Sequence, residues 1–487
     1  MSYGFPRAPN TFPVLSRNDL DTINDASLDL LERTGIKITS EKCLKTLEGM
    51  GCTVDHSDQI VLIPSYLVQE SLKKGRSIVR LGARNPKYNI ALDGRHAHVV
   101  SYGTGTHTID LNTRERRPAV NDDIVNAAKI ANALDSYHIF YPTVTSNDVP
   151  IHLRNLFDIK TALTVNEKHV QFESGDDPHV APYVIKIAAS ISGGMDELRK
   201  NPLISSITCP ISPMMIDGNA AEAAVEYAKV GVPVGIITCC MPGATGPVTL
   251  AGSLVVCNAE VLGGLVLIES SCPGASFIYG GSVAPFDMKT ARRAGGAVEH
   301  GIMSGAMGQF GRYHDLPSMG GGGYNTANEL GAQACLEKSF CGLLPFANAD
   351  IIEGFGCLED GKTLSFEQLV IDSEIVQMFH RVTRLVEVND TTLALDLVHK
   401  VKPGGTYLTE KHTNDHLRKE HFIPTVLKRQ LYDAWIRNGS RSLEDLASEK
   451  AKKIIERQEI QPLDKEIQNK VDAIIREAHN RLSGKKA

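Results

Sequence analysis

HDLPSMGGGGYNTANELGAQACLEKSF, residues 314–340, is the stretch whose reading decides the fold. A short apolar segment runs into Gly320, Gly321, Gly322 and Gly323, and a polar turn follows at 324–328. Leu330, Ala334, Cys335 and Phe340 then recur at helical spacing. Each glycine costs conformational entropy on ordering, so four in a row point to a close backbone approach or to positive φ. Alone, the run reads as a flexible strand-to-helix connection. Its place in the chain gives it a sharper meaning.

Working outward, the pattern of strand, loop and helix repeats eight times from about His98. The strands are expected at 98–102, 138–142, 168–173, 203–209, 233–238, 276–280, 315–319 and 347–352. The helices are expected at 120–134, 152–165, 178–192, 219–230, 248–268, 290–313, 329–342 and 364–381. Eight such alternations predict an α/β chain folded as a (β/α)8 TIM barrel. An open doubly wound sheet would carry G-x-G-x-x-G after its first strand. Gly103-Thr104-Gly105-Thr106-His107-Thr108 lacks the third glycine.

Residues 1–95 read as an N-terminal α+β cap. Leu20, Ile23, Leu28 and Leu31 share one helical side, Ser40 can cap a second helix, and short strands fall near Val61, Val79 and Ile90. Residues 96–385 form the barrel and 386–487 a mainly helical extension. Within the extension, the charged run 449–478 reads as a solvated or oligomerisation helix.

The 487 residues are 42% hydrophobic and 22% charged, with net charge −6, which argues against a nucleic-acid or anionic-membrane partner. The ten cysteines are scattered without a C-x-x-C pair, as expected for free thiols in a reducing cytoplasm. The first residues lack a signal-peptide pattern. The most apolar stretch, 248–268, contains Asn258 and Glu260 and reads as a buried helix.

In a barrel, chemistry belongs where strands end. The expected rim holds Tyr102 and His107, Thr143, Glu173 with Ser174 and Gly175, residues 238–241, Gly280 and Gly281, and Glu353 with Phe355. It offers no lysine for a Schiff base and no arginine. His96-x-His98 lies at the wrong end of its strand, and His412-x3-His416 reads as a surface pair, so no metal site is assigned. Cys239-Cys240 could supply a nucleophile or a thiolate ligand, or could simply be buried. Aromatics beside carboxylates suit a cationic substrate, which makes Tyr102, Phe172, Glu173, Tyr279, Glu353 and Phe355 the candidates.

SFEQLVIDSEIVQMFHRVTR (365–384), LALDLVHKVKPGGTYLTEKHTNDHLRKEHFIP (393–424), SLDLLERTGIKI (27–38) and the opening stretch together carry a resemblance. The chain resembles the trimethylamine:corrinoid methyltransferase family, in its branch that lacks pyrrolysine. The resemblance implies a TIM barrel that moves a methyl group from an amine to the Co(I) of a corrinoid held by a separate small protein. The family's pyrrolysine would fall in or near residues 320–324, where this chain has glycines. That departure points to a quaternary amine: glycine betaine first, then other betaines, carnitine or tetramethylammonium. The four glycines would then leave room for donor and corrinoid to meet. His107, or backbone N–H groups of the glycine loops, would receive a betaine carboxylate. Two other readings stand beside this one, a barrel metal-dependent hydrolase and a non-catalytic quaternary-amine-binding protein. A homo-oligomer is expected.

Overall fold

Eight parallel strands close into a barrel in the computed structural model, which describes residues 3–7, 12–173 and 178–483. They are β1 (His96–Ser101), β2 (Ile139–Phe140), β3 (His169–Glu173), β4 (Ile204–Thr208), β5 (Val234–Thr238), β6 (Phe277–Gly281), β7 (Ser318–Gly321) and β8 (Ile351–Phe355). Each pairs with the next, and β8 returns to β1 through Ile351 with His98 and Ile352 with Val99. The helices that follow them are α1 (Asn121–Ala133), α2 (Arg154–Val165), α3 (Ala181–Ser192), α4 (Gly218–Lys229), α5 (Leu250–Ser271), α6 (Val298–Tyr313), α7 (Ala332–Asn348) and α8 (Phe366–Thr383).

Strand alternation divides the apolar side chains between two cores. Val100, Ile139, Ile207, Ile237, Ile278, Met319 and Ile351 fill the barrel. A hairpin, Val79–Leu81 with Ile90–Leu92, closes its N-terminal end with Val79, Leu81, Ile90 and Leu92. Intervening residues such as Val99, Phe140, Val170, Ile236 and Phe277 pack outward with the helices. The barrel is therefore solid below, and only its C-terminal mouth can host a site.

The N-terminal helices Arg17–Arg33, Glu41–Met50 and Ser65–Lys74 surround a small sheet built from Ile36–Ile38, Ile60–Leu62 and Thr53–Asp55. Ser16 and Asp19 form a capping box at the first helix. Ser40 accepts the Cys43 N–H at the second. Met215–Ile216, from the loop after β4, extends this sheet, so the N-terminal elements share their core with the barrel helices. They cover α5, the one described helix long and apolar enough to span a membrane, and 78% of its apolar window is buried inside the protein. Glu260 on α5 accepts from Ser212 Oγ (2.9 Å) and Met214 N (2.8 Å) and bonds Thr238. Both Glu260 carboxylate oxygens thus have partners inside the protein.

Three expectations shift. β7 starts at Ser318 and includes Gly320 and Gly321. The helix expected over 290–313 begins only at Val298. Gly295 and Gly296 break it, and residues before them form a small antiparallel pairing, Phe286–Asp287 with Arg292–Arg293. The charged run 449–478 is not solvated along its length. It forms Leu443–Arg457 and Lys465–Leu482, separated by a segment containing Pro462. Ala447, Ala451, Val471, Ala478 and Leu482 are the buried stripe that packs them on the barrel.

Candidate active site

Glu353, near the end of β8, is the centre of the mouth. Its Oε1 accepts the Tyr324 hydroxyl at 3.0 Å. Around the Tyr324 ring stand Tyr102 edge-on (centroids 5.1 Å apart), His300 (5.4 Å) and the Arg293 guanidinium (4.8 Å). Arg293 comes from the loop between β6 and α6. Its Nη1 donates to Asp360 Oδ1 at 2.5 Å, and its Nη2 donates to Ser282 Oγ (3.0 Å) and Ser282 O (3.2 Å). Ser282 Oγ also lies 3.3 Å from His300 Nε2, whose ring Nδ1 is 2.6 Å from Gly295 O.

Burial raises the Glu353 pKa, and the nearby Glu173 carboxylate adds to the rise, while the Tyr324 bond and Arg293 oppose it. His300 is pushed down to about 3 by burial and by Arg293, so it is neutral at physiological pH. Burial opposes the charge on Arg293, but Asp360, Tyr324, Cys239 and Tyr102 together raise the guanidinium pKa. The phenols of Tyr102, Tyr141 and Tyr324 are all raised by burial. Three neutral tyrosines and two acidic side chains thus converge, an arrangement that attracts an organic cation by ring quadrupole, and by charge once the carboxyls are ionised. We expect Tyr324→Phe, which keeps the ring and loses the bond to Glu353, to weaken tetramethylammonium binding about tenfold in calorimetry.

The chain matches the trimethylamine methyltransferase (MTTB) family model over residues 4–482. It belongs to the MTTB family. It is 32% identical to the trimethylamine methyltransferase MttB of Desulfitobacterium hafniense over 466 residues, covering 96% of this chain and 94% of that protein. It is 30% identical to the glycine betaine methyltransferase of D. hafniense strain Y51 over 429 residues, 87% of this chain and 88% of that protein. Like these relatives it is a methyltransferase. A crystal structure of an MtmB hydroxylamine complex shares the fold, with a TM-score of 0.53 at 12% identity over 97% of this chain and 88% of that one.

Of the residues predicted for this MTTB-family site, Tyr102, Glu173 and Glu353 come together at the mouth. Phe172 and Tyr279 do not, because alternation turns them outward. Phe172 packs edge-on against Tyr227 at 5.5 Å, and Tyr279 donates to Asn258 on α5 at 2.8 Å. Phe355 also faces the helical shell, since the β8–β1 register shifts between Ile352 and Phe355 and Gly354 has φ +105°. His107 lies in an accessory sheet with Arg116–Pro118 and Thr363–Ser365, where its ring bonds Thr106 Oγ1 at 2.9 Å. It stands beside Glu359 rather than Glu353. Ser174 and Gly175 lie outside the described residues.

The four glycines are not open space. All are buried, and none has positive φ. A Cβ on Gly321 would sit 2.3 Å from Ser282 Oγ and 2.5 Å from His300 Nε2, and one on Gly323 would be 2.7 Å from the Gly354 backbone. Their contribution is close packing, which brings Ser282, His300 and the β8 exit together. His96 is bonded to Asp93 at the opposite end of the barrel (3.1 Å), and His412 and His416 stack at 4.2 Å on the surface. Among the described residues, no three His, Cys, Asp or Glu side chains gather as a metal set.

Arg293, Ser282, His300, Asp360, Tyr141 and Tyr324 were not among the sequence candidates. Reading 290–313 as one helix hid Arg293, and the expectation of a rim without arginine is thereby corrected. The Gly295-Gly296 pair, an unfavourable helix interior, was the available signal. Tyr141 continues the inward alternation of Ile139.

Proposed function

We propose that this MTTB-family enzyme takes a methyl group from a quaternary amine, glycine betaine foremost, and passes it to the Co(I) of a corrinoid held by a separate small protein. The observation that carries this reading is the set of Tyr102, Tyr141 and Tyr324 beside Glu173 and Glu353 at the barrel mouth. In the reaction the methyl carbon would pass to the corrinoid acceptor, and the N–C electron pair would stay on nitrogen, leaving dimethylglycine with a neutral amine and its carboxylate still ionised. No proton moves, in keeping with a neutral His300 and with tyrosines that hold their protons.

The residues of this chain would desolvate the cation and fix one methyl in line with the acceptor. Arg293 and Asp360 also line a cleft of about 950 Å³ with Arg116, Arg292 and Lys362, a place where the acceptor could dock. The glycine betaine methyltransferase relative supports the substrate. Trimethylamine is the second reading, favoured by the 32% identity to a trimethylamine methyltransferase. Glycines at 320–323, where the family's pyrrolysine is expected, weigh against it.

Ten unpaired cysteines suit a reducing cytoplasm. A homo-oligomer would cover Val386, Leu408, Leu431 and Tyr432, which are exposed beyond the barrel. The substrate reading is tested by incubating the protein, a Co(I) corrinoid protein and either glycine betaine or trimethylamine, then quantifying demethylated products by mass spectrometry. Dimethylglycine is expected. Dimethylamine from trimethylamine, with glycine betaine untouched, would establish the second reading instead.

A further inference from the structure

Two opposite charges flank one ring at the mouth. The Tyr324 hydroxyl bonds Glu353 at 3.0 Å, and the Tyr324 face carries the Arg293 guanidinium at 4.8 Å. We propose that Arg293 is the carboxylate anchor of this site, so that the enzyme selects zwitterionic quaternary amines over plain cations; this rests on the methyl-transfer reading above. The ammonium end of the substrate lies toward Glu173 and Glu353, and its carboxylate lies toward Arg293.

The placement of Arg293 is built rather than incidental. Its side chain is 20% exposed, at the base of the cleft. Asp360 and Ser282 accept its three hydrogen bonds. Arginine has five N–H donors, so Nε–H and one Nη1–H are left without a protein acceptor among the described residues. Asp360 itself is held in the left-handed region, at φ +54°, a conformation sparsely populated by residues other than glycine and often found at functional sites. A Cβ on Gly295 would lie 1.8 Å from Asp360 Oδ1 and 2.9 Å from Arg293 Nη1, so glycine there is what lets the pair form.

Because Ser282 occupies Nη2, the carboxylate is held by the guanidinium charge and a charge-assisted bond from Nε or Nη1, which a hydroxyl or a methyl ester cannot match. A plain quaternary cation in the same place gains nothing from Arg293 and is repelled by it. The anchor is therefore this loop arginine, and neither His107 nor the tightly packed glycines 320–323 are needed for it.

Calorimetric titration of the full-length protein tests the assignment. The ligands are glycine betaine and carnitine, each against its methyl ester, and tetramethylammonium. The wild type should bind at least one carboxylate ligand about a hundredfold tighter than its ester. Arg293→Gln should remove that preference and leave tetramethylammonium binding unchanged or tighter. Arg293→Lys, which keeps the charge and loses the guanidinium N–H donors, should retain about a tenth of the carboxylate affinity and carries the test if Arg293→Gln does not fold. Equal loss of all ligands in Arg293→Lys, absence of an acid-over-ester preference in the wild type, or no binding at all would each overturn the anchor. Methyl transfer to a Co(I) corrinoid is followed in parallel. Intact acid-over-ester binding without transfer would sink the methyl-transfer reading and leave the anchor standing.

Discussion

At pH above the raised Glu353 pKa, Glu353→Gln should weaken binding of a quaternary ammonium substrate at least about a hundredfold, and it should flatten the pH dependence. A unit charge at roughly 5 Å from the cation, at an effective dielectric of about 20, contributes about 3 kcal/mol. The substitution removes that charge while keeping a side chain of the same shape beside Tyr324. Burial raises the Glu353 pKa above the ordinary glutamate value, with Glu173 reinforcing the shift. In the wild type, cation affinity is therefore complete above the raised pKa and falls as pH drops through it. Calorimetry across that range should show a slope in the wild type and none from this group in the variant.

The same shift has the opposite sign for stability. Between the ordinary and the raised pKa, the folded state holds the proton more tightly than the unfolded state. Folding stability from this group therefore declines as pH rises through that window. Glu353→Gln should accordingly melt no lower than wild type at neutral pH. A site that sacrifices stability for binding behaves in this way.

Lys338→Met should destabilise the fold by about 3–5 kcal/mol, the usual result of breaking a buried ion pair from one side. Lys338 on α7 and Asp372 on α8 meet at 2.7 Å, and both side chains are fully buried. Asp372 also accepts the Gly356 N–H (2.6 Å) and Gln368 Nε2 (2.7 Å), and Lys338 donates to Gly354 O (3.2 Å). Gly354 and Gly356 both have positive φ, at +105° and +91°. The pair thus clamps two helices onto the turn that carries Glu353 into the mouth. Removing Lys338 leaves Asp372 buried beside no cation, and burial already raises its pKa. Urea unfolding should show the loss, and adding Asp372→Asn to Lys338→Met should recover part of it. A loss below about 1 kcal/mol would mean that the pair contributes little beyond packing.

These two networks also show what could be read from the chain. The eight strands lie within a few residues of their expected places because short apolar runs and long amphipathic helices recur in register. Glu353, Glu173 and Tyr102 were legible as polar or aromatic residues at strand ends. Tyr279, Phe172 and Phe355 were misassigned because a strand end alone does not fix parity, and near Phe355 a bulge changes it. Arg293 and Asp360 were invisible for another reason. They lie in loops between different strands, and only the closed barrel brings them within 2.5 Å. Lys338 and Asp372 belong to two of the stretches that carried the family resemblance, yet their pairing required the packing of α7 on α8.

The most direct measurement is the visible spectrum of a Co(I) corrinoid protein mixed with this enzyme and glycine betaine. The Co(I) band should give way to that of methylcobalt, with dimethylglycine formed in equal amount, and Glu353→Gln should slow the change strongly. A Co(I) spectrum that stays unchanged with glycine betaine, carnitine and tetramethylammonium alike, while a control methyltransferase converts its own substrate, would contradict the account.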